Sequence, residues 1–173
     1  MKHQKYFDKT FYSFFEQLLL ELQSRGIDAS QWPMDHVCYR CSDLAEYHRL
    51  CEDFSGTRLL SRAQINGREI SIYKVPQPLV IRTFSVGCIE IPAPRADKTY
   101  SSGWEHCEFV IGDSFESFQT RHAQVPFEKS GLQKKINPDL GIKLPSGSVR
   151  FHHLPIESIV DIEIRRGLAV HNL

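Results

Sequence analysis

At 173 residues, the chain is long enough for one ordinary domain or for two small modules that share a core. It contains 21 basic and 21 acidic residues, so it carries no electrostatic footprint for nucleic acid or for an anionic membrane. No stretch approaches the roughly 20 apolar residues that span a bilayer, and the N-terminus lacks the pattern of a signal peptide. We therefore expect a cytoplasmic protein that binds neither nucleic acid nor membrane.

The first predicted element is an amphipathic helix over residues 6–25. Apolar side chains recur along it at the spacing of one helical face, and Arg25 with Gly26 supplies the end signal. The residues of this face are Phe7, Phe11, Phe14, Phe15, Leu18 and Leu22. Such spacing is typical of core packing, so residues 1–32 are predicted to form an N-terminal helical extension that covers one flank of the rest.

Two segments of similar pattern follow, at residues 33–95 and 103–167, and each is predicted to have the element order β-α-β-β-β. The first has strands at 34–40, 57–65, 68–75 and 84–91 and a helix at 43–55, with Asn66-Gly67 as a hairpin turn. The second has strands at 104–110, 130–136, 148–153 and 158–165 and a helix at 114–123, where Asp113 and Glu116 resemble a capping box. The two modules are expected to share one compact domain.

The second module repeats a His…Glu pair of the first. Each pair begins with an acidic residue followed by His and ends in the sequence Ile-Glu-Ile. The interval from His36 to Glu90 is 54 residues, and that from His106 to Glu163 is 57. This nearly equal spacing indicates an internal duplication in which both pairs meet at one site.

Strand alternation predicts that these four residues share the polar face of the sheet. Neighbouring side chains of a strand point to opposite faces, and the four lie opposite apolar neighbours such as Val37, Ile89, Cys107 and Ile162. Carboxylates buried on such a face normally pair or bind a metal. Imidazole nitrogen and carboxylate oxygen together suit Zn²⁺, Ni²⁺, Mn²⁺ or Fe²⁺. We therefore predict that His36, Glu90, His106 and Glu163 ligate one divalent metal.

The element order and these four positions resemble the vicinal oxygen chelate superfamily, whose paired βαβββ modules form a cupped sheet around a divalent metal. A closer resemblance, over nearly the whole chain, is to the YecM family of bacterial proteins. It rests on the segments DHVCYR at 35–40, GWEHCEFV at 103–110 and NPD at 137–139. The resemblance implies an α+β fold with a cupped mixed sheet after an N-terminal helix, in a metal-binding protein or a metal-dependent enzyme.

Members of the superfamily imply the chemistry of the site. Proteins like glyoxalase I hold Zn²⁺ or Ni²⁺ with two His and two Glu, which correspond here to the four predicted ligands. Extradiol dioxygenases hold Fe²⁺ with two His and one Glu, which leaves Glu90 unexplained. The resemblance thus favours Zn²⁺ or Ni²⁺, with Fe²⁺ or Mn²⁺ as alternatives, in an isomerase, lyase or oxidoreductase that acts on a small oxygen-chelating substrate.

In such an enzyme, Glu163 or Glu90 would act as the general base. The side chains that could bind a substrate carboxylate or phosphate are Arg40, Arg82, Arg150 and His152. The same cup would also suit a non-catalytic module that binds or sequesters a metal or a small ligand. Because both modules lie in one chain, a complete cup forms without a partner, which favours a monomer.

Overall fold

A computed structural model describes residues 2–169, so Met1, the first residue of the predicted N-terminal extension, lies outside the described part. The strands are β1 (Met34–Arg40), β2 (Arg58–Ile65), β3 (Arg68–Ile81), β4 (Phe84–Pro92), β5 (Gly103–Val110), β6 (Leu140–Lys143) and β7 (Ser148–His152). The α-helices are α1 (Lys9–Ser24), α2 (Leu44–Asp53), α3 (Phe115–Arg121) and α4 (Ile156–Arg165). Short 3₁₀ helices cover Lys2–Tyr6, Ala29–Gln31 and Ser130–Gln133. None of the helices in residues 2–169 is both long and apolar enough to cross a membrane.

These strands form one mixed sheet with the order β2-β3-β4-β1-β5-β7-β6. In each half of the chain, the first strand pairs in parallel with the last, β1 with β4 and β5 with β7. The two halves meet where β1 and β5 pair antiparallel, with Val37 opposite Cys107 near the centre. The predicted fold class, a cupped mixed sheet preceded by an N-terminal helix, is confirmed.

Two strands predicted for the second half are wrong. Residues 158–165 lie in α4, where Ile156, Ile159 and Val160 are buried at helical spacing. The predicted strand at 130–136 instead begins with a 3₁₀ helix, and the strand that pairs with β7 is β6. The second half therefore contributes three strands to the sheet where four were predicted.

The predicted hairpin turn is confirmed, whereas the predicted capping box is not. Asn66 and Gly67 join β2 to β3 with φ angles of 52° and 77°, the left-handed conformation that a type I′ turn requires. The cap of α3 is Ser114, whose side chain accepts a hydrogen bond from the Ser117 N–H at 3.2 Å. The second module therefore begins its helix one residue later than the Asp113 signal predicts.

The main core lies on the convex face of the sheet. Alternate strand residues such as Val37 and Ile89 are fully buried there beneath α1, α2 and α3. The Phe11 ring of α1 lies 4.7 Å from the Trp104 ring of β5 between centroids. The N-terminal helix is thus an integral part of the core, in agreement with the apolar face predicted for it.

The concave face is covered differently in the two halves. In the first half, α4 packs on it through Ile156 and Val160, which contact a patch that includes Leu60, Ile72 and Cys88. In the second half, polar residues of β5 and β7 on this face line a cavity. We call this cavity the cup, and α4 forms one of its walls.

Candidate metal centre

The acidic residue before each repeated histidine is the extra residue of a β-bulge. The pairing of β1 with β5 shifts by one residue at Asp35 and again at Glu105. A bulge takes the extra side chain out of the regular alternation. Asp35 Oδ2 accordingly lies 2.9 Å from His36 Nδ1, and Glu105 Oε2 lies 3.9 Å from His106 Nδ1. The repeated acidic-His sequence therefore places a carboxylate behind each imidazole.

Three histidines surround the carboxylate of Glu108, and we call these four residues the histidine cluster. Nε2 of His106 and of His36 lie 3.3 Å and 3.7 Å from Glu108 Oε1, and Nε2 of His152 lies 3.3 Å from Oε2. All three imidazoles are buried, and none of the three Nε2 atoms makes a hydrogen bond within the described residues. Buried polar atoms without a partner are uncommon in folded proteins and call for a ligand or water.

In His36 and His152, the hydrogen bond made by Nδ1 determines whether Nε2 carries a proton. Nδ1 of His152 lies 2.8 Å from the carbonyl oxygen of Leu154, which can only accept, so Nδ1 donates. Nδ1 of His36 faces the Asp35 carboxylate at 2.9 Å in the same way. A neutral His36 or His152 therefore directs a lone pair toward Glu108. Such an arrangement is favourable only when a proton or a cation lies between the acceptors.

The charges of the histidine cluster also favour a cation beside Glu108. Burial raises the pKa of the Glu108 carboxyl, but the charges of the surrounding imidazoles, first His36, hold that pKa well below its usual range. Burial lowers the pKa of His36, but Glu108 and Asp35 raise it to about 9. Burial also lowers the pKa of His152, which favours the neutral form of this imidazole. The cluster therefore stabilises a positive charge next to a largely buried carboxylate.

The donor set fits a divalent metal. One donor atom each from His36, His106 and Glu108 lie within 4.8 Å of one another. Two imidazoles and one carboxylate with open positions are typical of catalytic sites for zinc or non-haem iron. Ligating imidazoles usually have a hydrogen-bonded carboxylate behind them, and Asp35 occupies that position for His36, whereas Glu105 lies beyond hydrogen-bond distance of His106. His36, His106 and Glu108 are thus the residues that would hold a metal, with His152 beside the second oxygen of Glu108.

Of the four predicted ligands, His36 and His106 belong to the histidine cluster, whereas Glu90 and Glu163 line the cup beside it. The Glu90 carboxylate accepts a hydrogen bond from Cys38 Sγ at 3.5 Å. Glu163 reaches the cup from α4, and its pKa is raised by burial and by the charge of Glu90. Neither glutamate is in a set of donor atoms within 4.8 Å of one another.

The strand register shows which residue of the second half corresponds to Glu90. Glu90 pairs with Cys38 in the β1–β4 ladder, and Arg150 pairs with Glu108 in the β5–β7 ladder. Cys38 and Glu108 each follow the central residue of their strand, so the two pairs occupy equivalent places. In the second half, Arg150 therefore occupies the place that Glu90 has in the first half. The carboxylate that the second half contributes is Glu108, which lies on its first strand, β5.

The four predicted substrate-binding residues lie in different places. Arg150 lines the cup, where its Nη1 donates to Asp139 at 2.7 Å, and His152 belongs to the histidine cluster. Arg40 and Arg82 do not line the cup, since each pairs with a glutamate outside it. Of these four residues, only Arg150 and His152 therefore belong to the cup or the histidine cluster, and both lie on β7.

Sequence reasoning missed Glu108 and Asp35 as members of the site. Glu108 follows His106 by two residues, and strand alternation places such residues on one face, so a signal for it exists in the sequence. Asp35 leaves the face that alternation predicts because it is the extra residue of a bulge. The sequence pattern contains no comparable signal for that bulge.

Two halves of similar topology around one cup define a protein of the vicinal-oxygen-chelate fold. The chain matches the family described as YecM protein over residues 3–163, so it belongs to the YecM family. It is 27% identical over 166 residues to Protein YecM of Escherichia coli (strain K12), with 86% of this chain and 88% of that protein covered.

Two solved structures resemble the chain to different degrees. The structure described as Protein EC4020 has a TM-score of 0.74 and 27% identity, and 87% of each chain is covered. A methylmalonyl-CoA epimerase structure has a TM-score of 0.49 and 18% identity, and covers 70% of this chain and 94% of that chain.

Proposed function

We propose that the chain is a metal-dependent enzyme that holds one divalent ion with His36, His106 and Glu108 and acts on a small oxygen-chelating substrate. The supporting observation is the convergence of three imidazole Nε2 atoms, none of them hydrogen-bonded within residues 2–169, on one largely buried carboxylate. Zn²⁺ or Ni²⁺ is our first expectation, and Fe²⁺ or Mn²⁺ suits the same donor set. When bound, the ion would supply Lewis-acid stabilisation of charge on the substrate oxygens.

Glu163 is our candidate for the proton-transferring residue, in a reaction of the isomerase, lyase or oxidoreductase type. Burial and then the charge of Glu90 raise the pKa of its carboxyl, which brings that pKa closer to neutral pH. A general base works best when its pKa lies near the working pH. Glu163 also stands beside the histidine cluster without belonging to it, so its carboxylate is free to take a proton from a bound ligand.

Metal analysis tests the binding part of the proposal. Protein purified without added metal is stripped with a chelator, reloaded with Zn²⁺, Ni²⁺, Mn²⁺ or Fe²⁺ in turn, and measured by inductively coupled plasma mass spectrometry. We expect one ion per chain in the wild type and loss of that ion in His106→Ala. The matched control is His48→Ala, since His48 is an exposed histidine on α2. Equal metal content in all three proteins would overturn the proposed site.

Turnover assays test the catalytic part. The loaded protein is incubated in D₂O with a panel of small hydroxy and oxo acids, and deuterium incorporation and product formation are followed by NMR. We expect exchange or turnover that Glu163→Gln abolishes while its metal content stays unchanged. Stoichiometric capture of a compound without exchange or turnover would instead identify a non-catalytic binding module.

A further inference from the structure

Two cations of the cup form no direct ion pair with the described residues. Arg68, at the start of β3, and Lys135, which follows the 3₁₀ helix Ser130–Gln133, both line it. Neither side chain forms an ion pair or a hydrogen bond within residues 2–169, although the charge of Arg68 acts on Glu105 without direct contact. In contrast, Lys134 and Arg150 both pair with Asp139. Two of the four cations around the cup are therefore available to a ligand.

The overall charge of the cup gives an independent reason for an anionic ligand. Among the described residues that line it, four are lysines or arginines and four are carboxylates, so these side chains balance when the imidazoles are neutral, as metal ligation requires. A divalent ion in the histidine cluster would leave two positive charges in a partly enclosed cavity. Charges withdrawn from water are costly unless they are paired. A ligand with two negative charges would restore the balance.

Apolar side chains also line the cup. Ile65 and Ile70 stand close to Arg68 in the sequence, and Ile136 follows Lys135, and all three line the cavity. These isoleucines give the cavity apolar surface in addition to its charged groups. The volume of about 650 Å³ is in the range of small-molecule sites. The cavity therefore suits a small molecule whose polar groups are joined by a short apolar part.

We propose that the substrate is a small organic anion whose carboxylate or phosphate group is bound by Arg68 and Lys135, while its chelating oxygens face the histidine cluster. This inference deepens the proposed function and rests on it. Arg68 belongs to the first half of the chain and Lys135 to the second, so the anion would be held between the two halves. Charge-assisted hydrogen bonds from guanidinium and ammonium groups are the strong contacts that select such groups.

Calorimetric titration of the metal-free full chain tests the anion site separately from the metal. Inorganic phosphate and succinate are the two probes, titrated at pH 7 and low salt. We expect at least one of them to bind, and the double variant Arg68→Gln/Lys135→Gln to weaken its Kd about tenfold or more. A double variant with the same change of charge, Lys9→Gln/Lys143→Gln, is the control, because both of these lysines are exposed and outside the cup.

The outcomes separate the anion site from the proposed function. Binding of phosphate alone or of succinate alone supports the site and identifies the group that it selects. No binding of either probe, or an equal loss in the control variant, overturns it. We expect Arg68→Gln/Lys135→Gln to retain its metal and His106→Ala to retain anion binding. Metal loading without anion binding would therefore refute only the anion site, and the converse would refute the proposed metal centre.

Discussion

The backbone N–H of Ile156 donates a hydrogen bond to Asp35 Oδ2 at 2.9 Å, although the two residues lie 121 positions apart in the chain. Ile156 is the first residue of α4, and Pro155 before it provides no side-chain cap. The same Asp35 oxygen lies 2.9 Å from His36 Nδ1. One carboxylate thus caps the helix that forms a wall of the cup and also orients an imidazole of the histidine cluster.

Replacement of Asp35 should therefore loosen α4. Asp35→Ala leaves the Ile156 N–H without its acceptor, and we expect the free energy of unfolding to fall by about 1–3 kcal/mol. Urea denaturation measures this loss, and hydrogen–deuterium exchange should locate it in the α4 amides. Asp97→Ala, which removes an exposed carboxylate from the loop between β4 and β5, should change neither quantity measurably. Unchanged protection of α4 in Asp35→Ala would show that the cap is dispensable.

Substitution of Glu108 and of Glu163 distinguishes the metal ligands that the structure indicates from those that the sequence spacing predicts. We expect Glu108→Gln to weaken metal binding by more than about 100-fold, because loss of an outer partner alone costs 10- to 100-fold. Glu163→Gln should leave the metal affinity within about threefold of the wild type, because Glu163 is outside the histidine cluster. Competition against a fluorescent chelator measures both affinities. Equal losses in the two variants would favour a ligand from α4.

Gly147, in the turn between β6 and β7, is required by packing. A Cβ atom there would collide with the backbone oxygen of Glu105 and lie 2.9 Å from Cζ of Phe14. We expect Gly147→Ala to lower the free energy of unfolding by about 1–3 kcal/mol. Gly56→Ala is the matched control, because a Cβ at Gly56 meets nothing within 4 Å, and it should be neutral or stabilise by about 0.4–1 kcal/mol. Similar stability of the two variants would mean that the β6–β7 turn adapts easily.

A buried histidine outside the cup should contribute to acid sensitivity. Burial, and then the charge of Arg121, lower the pKa of His122, whose ring packs 4.9 Å from the Phe118 ring. The unfolded chain therefore binds a proton near pH 6.5 more readily than the folded one, so stability falls as the pH drops below this value. We expect His122→Phe, which keeps an aromatic ring, to lose less stability than the wild type between pH 7 and pH 5.

Urea denaturation of both proteins at pH 7 and pH 5 provides the measurement. The difference between them isolates His122, because the other titrating groups are common to both proteins. An identical pH dependence would show that His122 keeps its ordinary pKa in the folded protein.

The first half of the fold was predictable because its local signals agree with one another. The Asn66-Gly67 turn fixes the β2–β3 hairpin, and alternation identifies the buried face of β1 and β4. Residues 156–165 carry two periods at once. Val160, Ile162 and Ile164 alternate as in a strand, yet Ile156, Ile159 and Val160 also match a helix. The segment forms a helix because its apolar side packs on the concave face of the sheet, and this tertiary contact cannot be read from the sequence of the segment.

The candidate site was partly predictable, because strand alternation identifies some of its residues. Each bulge ends at the acidic residue, so His36 and His106 keep regular alternation with the residues that follow them, and alternation places them correctly on the cup face. The sequence pattern predicts Glu163 on the last strand of the second half, but that strand is β7, where Arg150 occupies the corresponding place. A repeat at the level of sequence spacing therefore does not guarantee a repeat at the level of strand position.

The packing of α4 on one side of the cup makes its two walls chemically unlike. The helix contributes Glu163 and isoleucines to the cup, whereas the second half of the sheet and the segment before it contribute Arg150 and the lysines that follow the 3₁₀ helix. A ligand in the cup therefore meets a proton-accepting group from the helix and cations from the second half. The site is therefore stereochemically asymmetric although the sheet beneath it is nearly two-fold symmetric, and mirror-image forms of a ligand would meet different chemistry.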